Sequence, residues 1–230
     1  VCTGQLGMYP DYMQGADIVA FDIYPVNSTD AWLHDTLWYV GQGVDRLVQW
    51  SHDSFQDQKV VWNCVELSDQ GGTGLPTIAQ VRAEVWMSIV CGSQGIVYFV
   101  HEFAPDFHEA AILTRNEAPY VALRAGVTEL NAQVTALAPV LNSQHFDSEV
   151  TVVSSASATP IRTTVRHHDG KVYVFAVAMR EGPTPAPSRL RVWRRPRPSR
   201  WWTRAAASRR APAASTTTSP ATRCTSTASR

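Results

Sequence analysis

Cysteine is scarce in this chain and badly spaced for chemistry. Cys2, Cys64, Cys91 and Cys224 are the only four in 230 residues, and no two stand at a CxxC or metal-ligand spacing. Cys64 and Cys91 lie in apolar segments and read as buried thiols, so no metal is expected and the redox compartment stays open. Long hydrophobic runs are missing as well, and no window reads as a membrane-spanning helix. GxGxxG, P-loop, HExxH and GxSxG motifs are absent, which removes support for dinucleotide, phosphate-loop, zincin and serine-hydrolase chemistry. The one glycine cluster, "GGTG" at 71–74, is a poor phosphate cradle. No cofactor is expected.

Each part of the chain also lacks charge of one sign. Residues 1–180 hold 9 Lys and Arg against 19 Asp and Glu, whereas residues 181–230 hold 11 against 1. The formal net charge of zero conceals an acidic body and a basic tail. An acidic body is a poor nucleic-acid binder, so neither nucleic acid nor membrane is an expected partner. The chain opens on Val1 with no signal peptide. It is expected to begin inside a longer protein, with an extracellular or periplasmic setting the favoured one.

What is present is a 44% hydrophobic body, enough for a real core. "ADIVAFDIYPV", 16–26, reads as a central parallel strand covered on both faces. Residues 31–51 place Leu33, Leu37, Val40, Val44, Leu47 and Val48 at helical spacings. "KVVWNCVEL", 59–67, is a second strand. A helix starting at Thr77 or Pro76 carries Val81, Val85, Ile89 and Val90 and stops near Gly92 or Gly95. "GIVYFV", 95–100, is a third strand, and a long helix follows over roughly 117–137. Alternating strands and helices imply a parallel sheet with helices packed on it. Beyond Pro139 the pattern changes to "EVTVVSS" and "IRTTVRHHDGKVYVFAVAMR", antiparallel strands with an Asp169-Gly170 hairpin turn.

Residues 189–230 fit neither pattern. Their Arg, Ser, Thr, Ala and Pro are what GC-rich coding DNA yields in the wrong frame. Shifting "STTTSPATRCTST" by one base permits a string of closing-strand character. The tail is therefore expected to be a disordered frameshift product, a reading that the nucleotide sequence decides. Taken literally it would be a basic surface-binding arm instead.

Chemistry collects at the strand ends. Ile18, Ala20, Asp22 and Tyr24 share one face of the first strand, and Val60, Trp62, Cys64 and Glu66 share one face of the second. The third ends in "YFVHEF", gathering Tyr98, His101 and Glu102. Acids at the C-terminal ends of βα strands are where barrel and doubly wound enzymes place reactive groups. Aromatic rings stack on the apolar faces of sugars, and Asp, Glu, Asn and His bond their hydroxyls. The expected partner is thus a carbohydrate substrate. Glu66 is the candidate catalytic residue, with its carboxylate facing a solvent-open cavity and its pKa held down by donors such as Asn63 or Tyr24. Asp22, Tyr24, Trp62, Asn63, Tyr98, His101 and Glu102 are the candidate substrate-binding residues.

In the stretches "GADIVAFDIYPV", "KVVWNCVELSD" and "RAEVWMSIVCGSQGIVYFVHEF" the chain resembles the C-terminal half of a clan A-type (β/α)8-barrel glycoside hydrolase with a C-terminal β-sandwich. The likeness covers roughly residues 8–180. It implies an α/β fold with barrel strands six to eight in residues 1–140, a partial β-sandwich in 145–188 and the tail in 189–230. It further implies a retaining two-carboxylate mechanism, with Glu66 as the nucleophile at the end of strand seven and Tyr24 as its hydrogen-bonding tyrosine. The acid/base Glu would lie on strand four, upstream of Val1, so this chain alone is expected to show little or no activity. The alternative is a non-catalytic carbohydrate-binding or pseudoenzyme barrel domain.

Overall fold

The computed structural model describes residues 7–147, 150–154, 156–180 and 189–192. A short helix α1 (Tyr9–Met13) precedes strand β1 (Ile18–Asp22), helix α2 (Trp38–Phe55), strand β2 (Val60–Glu66), helix α3 (Ile78–Val90) and strand β3 (Gly95–Phe99). A single helical turn α4 (Ala111–Thr114) and the long helix α5 (Ala118–Leu141) follow. Strands β4 (Val150–Val153), β5 (Ile161–His168), β6 (Lys171–Ala178) and β7 (Arg189–Val192) complete the described chain.

β1, β2 and β3 form a parallel sheet in sequence order, with Ala20 beside Trp62 and Trp62 beside Gly95. Neighbours in a parallel register point to the same side, so the two faces can be read directly. On one face Val19, Phe21, Ile23 and Val61 pack against Val40, Val44 and Leu47 of α2. On the same side Val65 packs against Val81 and Val85 of α3 and against Leu123, Val127 and Leu130 of α5. Each such side chain contributes about 1.5–3 kcal/mol on full burial. α2 approaches so closely that a Cβ at Gly43 would fall 1.9 Å from the Phe21 ring.

Among the described residues no helix packs on the other face. Ile18, Val60 and Val97 are 47%, 36% and 38% exposed, and Asp22 is exposed beyond them. This corrects the expectation that β1 is covered on both faces. Its apolar run is nearly continuous although Ile18 and Ala20 belong to a surface that the described residues leave uncovered. Cys64 is half-buried there instead of enclosed, while Cys91 is buried and burial pushes its thiol up to about 12. Trp62 lies over Gly95, where a Cβ would stand 2.6 Å from the indole.

The helix expected over 31–51 begins later, at Trp38. Residues 30–36 form turns instead, with Leu33 and His34 N–H groups donating to the Asp30 carbonyl and Asp35 in the left-handed region at φ 58. Leu33 and Leu37 are buried all the same. α3 starts where expected: the Thr77 side chain accepts from the Gln80 N–H, and the Gln80 side chain accepts from the Thr77 N–H. That reciprocal pairing satisfies two donors the helix would otherwise leave open.

β5 and β6 pair antiparallel around Asp169-Gly170, both with positive φ, as the turn signal requires. This hairpin packs on α3 and α5, with Trp86 of α3 stacked on Phe175, and Arg162 pairs with Asp45 of α2 at 2.6 Å. β4 pairs antiparallel with β7, so ordered strand continues to Val192 within the segment expected to be a disordered tail. The sheet, helices and hairpin belong to one compact unit, Val1–Trp193. Residues 193–230, which carry most of the frameshift expectation, lie outside the described residues, as does Cys2.

Candidate functional site at the strand ends

β2 delivers Glu66 to the C-terminal rim of the sheet, where the chain leaving β1 wraps over it. Glu66 Oε1 accepts from the Val26 N–H at 2.7 Å. Oε2 accepts from the Asn27 N–H at 2.8 Å and from Asn27 Nδ2 at 2.6 Å. Asn27 is the hub of this rim. Its Nδ2 also donates to the Ser68 carbonyl at 2.9 Å, and its Oδ1 accepts from the Gln70 N–H at 2.8 Å. Ser68 Oγ donates in turn to the His101 carbonyl at 2.5 Å. The Glu66 carboxylate and the Asn27 amide tie together the segments that follow β1 and β2, and the Ser68 hydroxyl joins them to the segment after β3.

Glu66 is fully buried, which corrects the expectation of a carboxylate facing open solvent. The donors are also different from those expected. They come from Val26 and Asn27: Asn63 points to the opposite face of β2, and the Tyr24 hydroxyl makes no hydrogen bond to Glu66. Asn63 is fully buried toward α3, with Nδ2 donating to Ser88 Oγ at 3.0 Å and to the Cys64 carbonyl at 3.1 Å. Burial pushes the Glu66 pKa upward, and the Asn27 and Val26 donors pull it back only in part.

A second carboxyl stands beside the first. Glu84 of α3 is fully buried, and neither of its oxygens makes a well-formed hydrogen bond. Its pKa is driven well above the usual carboxylate range, first by burial and then by the charge of Glu66. Two buried carboxyls in contact cannot both ionise at modest cost.

The remaining candidates divide into three groups. Asp22, Tyr24 and Trp62 lie on the bare face with Glu66. Tyr24 stacks near Phe99 at a 5.2 Å centroid distance. Its hydroxyl is raised by burial and by the neighbouring Asp22 carboxylate. His101 extends this rim through an edge contact to Phe99, and its Nδ1 accepts from the Ala110 N–H at 3.2 Å. Asn63 and Tyr98 fall on the helix side instead. Tyr98 donates to Asn131 Oδ1 of α5 at 2.7 Å and lines a cavity of about 630 Å³ with Val85, Ile96 and Val134. The third group is Glu102 alone, whose carboxylate is already engaged. It accepts two bonds from Arg115 at 3.0 and 2.9 Å and one from the Tyr120 hydroxyl at 2.8 Å.

Sequence reasoning missed Asn27, Ser68, Glu84 and the rings of Phe99, Phe103 and Phe107. Phe103 and Phe107 are exposed, with centroids 5.4 Å apart, and extend the aromatic rim beyond His101. A signal for Glu84 was available: it sits between Val81, Val85 and Ser88 on the buried stripe of α3, where a carboxylate is out of place. Among the described residues no group of three or more His, Cys, Asp or Glu could hold a metal ion, and no helix is long and apolar enough to cross a membrane. No protein-family model, curated protein or solved structure matches this chain.

Proposed function

We propose that β1, β2 and β3 are the sixth, seventh and eighth strands of a (β/α)8-barrel glycoside hydrolase, and that their shared rim binds carbohydrate. The observation that carries this reading is the one-sided sheet: three parallel strands in sequence order, both crossover helices on one face, and the other face bare. A doubly wound sheet would place helices on both faces; a barrel keeps them outside and turns the other face inward. At the C-terminal rim of that inner face stand Asp22, Tyr24, Glu66 and His101, with Trp62 one layer below.

On this reading Glu66 is the nucleophile of a retaining mechanism, attacking the anomeric carbon. Retention needs a second carboxyl about 5–5.5 Å away to protonate the leaving oxygen. Glu84 is no substitute, being enclosed on the helix side of the rim. The acid/base belongs to a strand outside β1–β3. The full burial of Glu66 favours a second reading, in which the rim binds sugar without cleaving it and Glu66 only locks the loops.

Trp62 fluorescence tests the binding site shared by both. Oligosaccharides of several linkages should quench it, and Trp62→Phe should abolish the response; silence toward every sugar would remove both readings. Aryl-glycoside assays test the chemistry. The chain alone should turn over at background. Hydrolysis that disappears in Glu66→Gln would place the missing acid within this chain.

A further inference from the structure

Glu66 and Glu84 meet with unequal shares of the donors around them. Three N–H groups point at Glu66 and none forms a proper bond to Glu84. Both side chains are fully buried. No ion pair among the described residues includes either one.

Among the described residues no cation acts on either carboxyl. From the β1 side come Val26, Asn27 and the Tyr24 hydroxyl, with Asp22 behind it. β2 contributes Cys64, and the segment after it Ser68. The β3 side approaches through the His101 carbonyl bonded to Ser68 Oγ. On α3, Ser88 Oγ donates to the Glu84 backbone carbonyl and is not spare for its carboxyl.

Two carboxylates held in contact without a cation would leave a full negative charge in low dielectric with no donor. The alternative is one shared proton. A protonated carboxyl is itself a donor, and Glu66 Oε1, which takes a single N–H bond, can accept a further one. We infer that Glu84 is a positioning residue kept as the neutral acid at neutral pH, donating its proton toward the ionised Glu66 and holding that carboxylate from behind.

The distribution of donors decides which partner carries the proton. Glu66, with three N–H groups, is the better anion. Glu84, which has only the Glu66 backbone N–H nearby and no well-formed bond, is the better acid. The functional meaning rests on Glu66 being the attacking carboxylate: a neutral donor behind it would orient the nucleophile without adding charge. The proton itself does not depend on that reading.

Infrared spectroscopy of the full chain at pH 7 reads the proton directly, since the carbonyl stretch of a protonated carboxyl is well separated from carboxylate bands. One such band is expected in the wild-type chain. It should vanish in Glu84→Gln, which retains an N–H donor and the side-chain shape, and survive in Glu102→Gln. Absence of the band from the wild type, or its persistence in Glu84→Gln, overturns the inference. Should Glu84→Gln fail to fold, carbon-13 NMR of the glutamate-labelled wild type gives the answer: one glutamate carboxyl must keep the protonated shift at pH 7. None doing so overturns the inference. Because neither readout involves hydrolysis, a failure here and a failure of the hydrolase reading are distinguishable.

Discussion

The rims of β2 and β3 each end in a buried glutamate, held by opposite means. Glu102 lies against a guanidinium: Arg115 bonds both of its oxygens, Tyr120 bonds one, and Arg115 also pairs with Glu117 at 2.9 Å. Glu66 has only neutral N–H donors and a second carboxyl. A cation lying against a buried carboxylate compensates its charge locally. Neutral donors leave the charge conditional. The β3 rim is therefore a brace that ties the loop after β3 to α5, whereas the β2 rim pairs two carboxyls with no cation between them.

Removing each glutamate separates the two devices most sharply. Glu66→Ala strands the Val26 and Asn27 N–H groups and one amide hydrogen of Asn27, and takes away the acceptor beside Glu84. Losing a buried hub of this kind costs about 3–5 kcal/mol. Glu102→Ala leaves Arg115 about one-quarter exposed and still paired with Glu117, so the expected loss is about 1–3 kcal/mol. Urea denaturation of the two variants measures the difference. Equal losses would mean that the β2 rim is no more of a hub than the β3 rim.

The next effect in size is a pH dependence. Glu84 and Glu66 are both raised on folding from the ordinary value of 4.5. The folded chain therefore keeps a proton that the unfolded chain gives up. That contribution is fully present below pH 4.5. It falls as pH rises toward the folded value of Glu84, at about 1.4 kcal/mol per pH unit for one retained proton. Melting temperature against pH should show the decline in the wild type, a flatter line in Glu84→Gln, and an unchanged slope in Glu102→Gln. A slope that survives Glu84→Gln but disappears in Glu102→Gln would exchange the roles of the two rims.

Much of this arrangement was legible from residue spacing. The order of β1, β2 and β3, the start of α3 at Thr77 and the Asp169-Gly170 turn all follow from local chemistry, and each is found. The face of Asn63 was legible as well, since strand alternation sets it opposite Trp62, Cys64 and Glu66. Choosing it as a donor to Glu66 set that alternation aside. The partners were not legible. Arg115 stands thirteen positions along the chain from Glu102, and Val26 and Asn27 stand forty and thirty-nine from Glu66. Nothing in local periodicity encodes such closures. The burial of Glu66 belongs to the same class: a carboxylate at a strand end reads as exposed until the loop that covers it is placed.

The smallest expected effects test the boundary between brace and binding site. Tyr120→Phe removes one hydroxyl bond to Glu102 and leaves both Arg115 bonds, so about 1 kcal/mol should be lost. Tyr98→Phe removes a bond to Asn131 that is open to solvent, and the loss should stay within about 0.5 kcal/mol. Neither change touches the bare face, so sugar quenching of Trp62 should remain as in the wild type. Were Tyr98→Phe to weaken that quenching, the helix-side cavity would be joined to the carbohydrate site. The division of the sheet into one structural face and one proposed binding face would then fail at β3, where Val97 is the exposed side chain of the uncovered face.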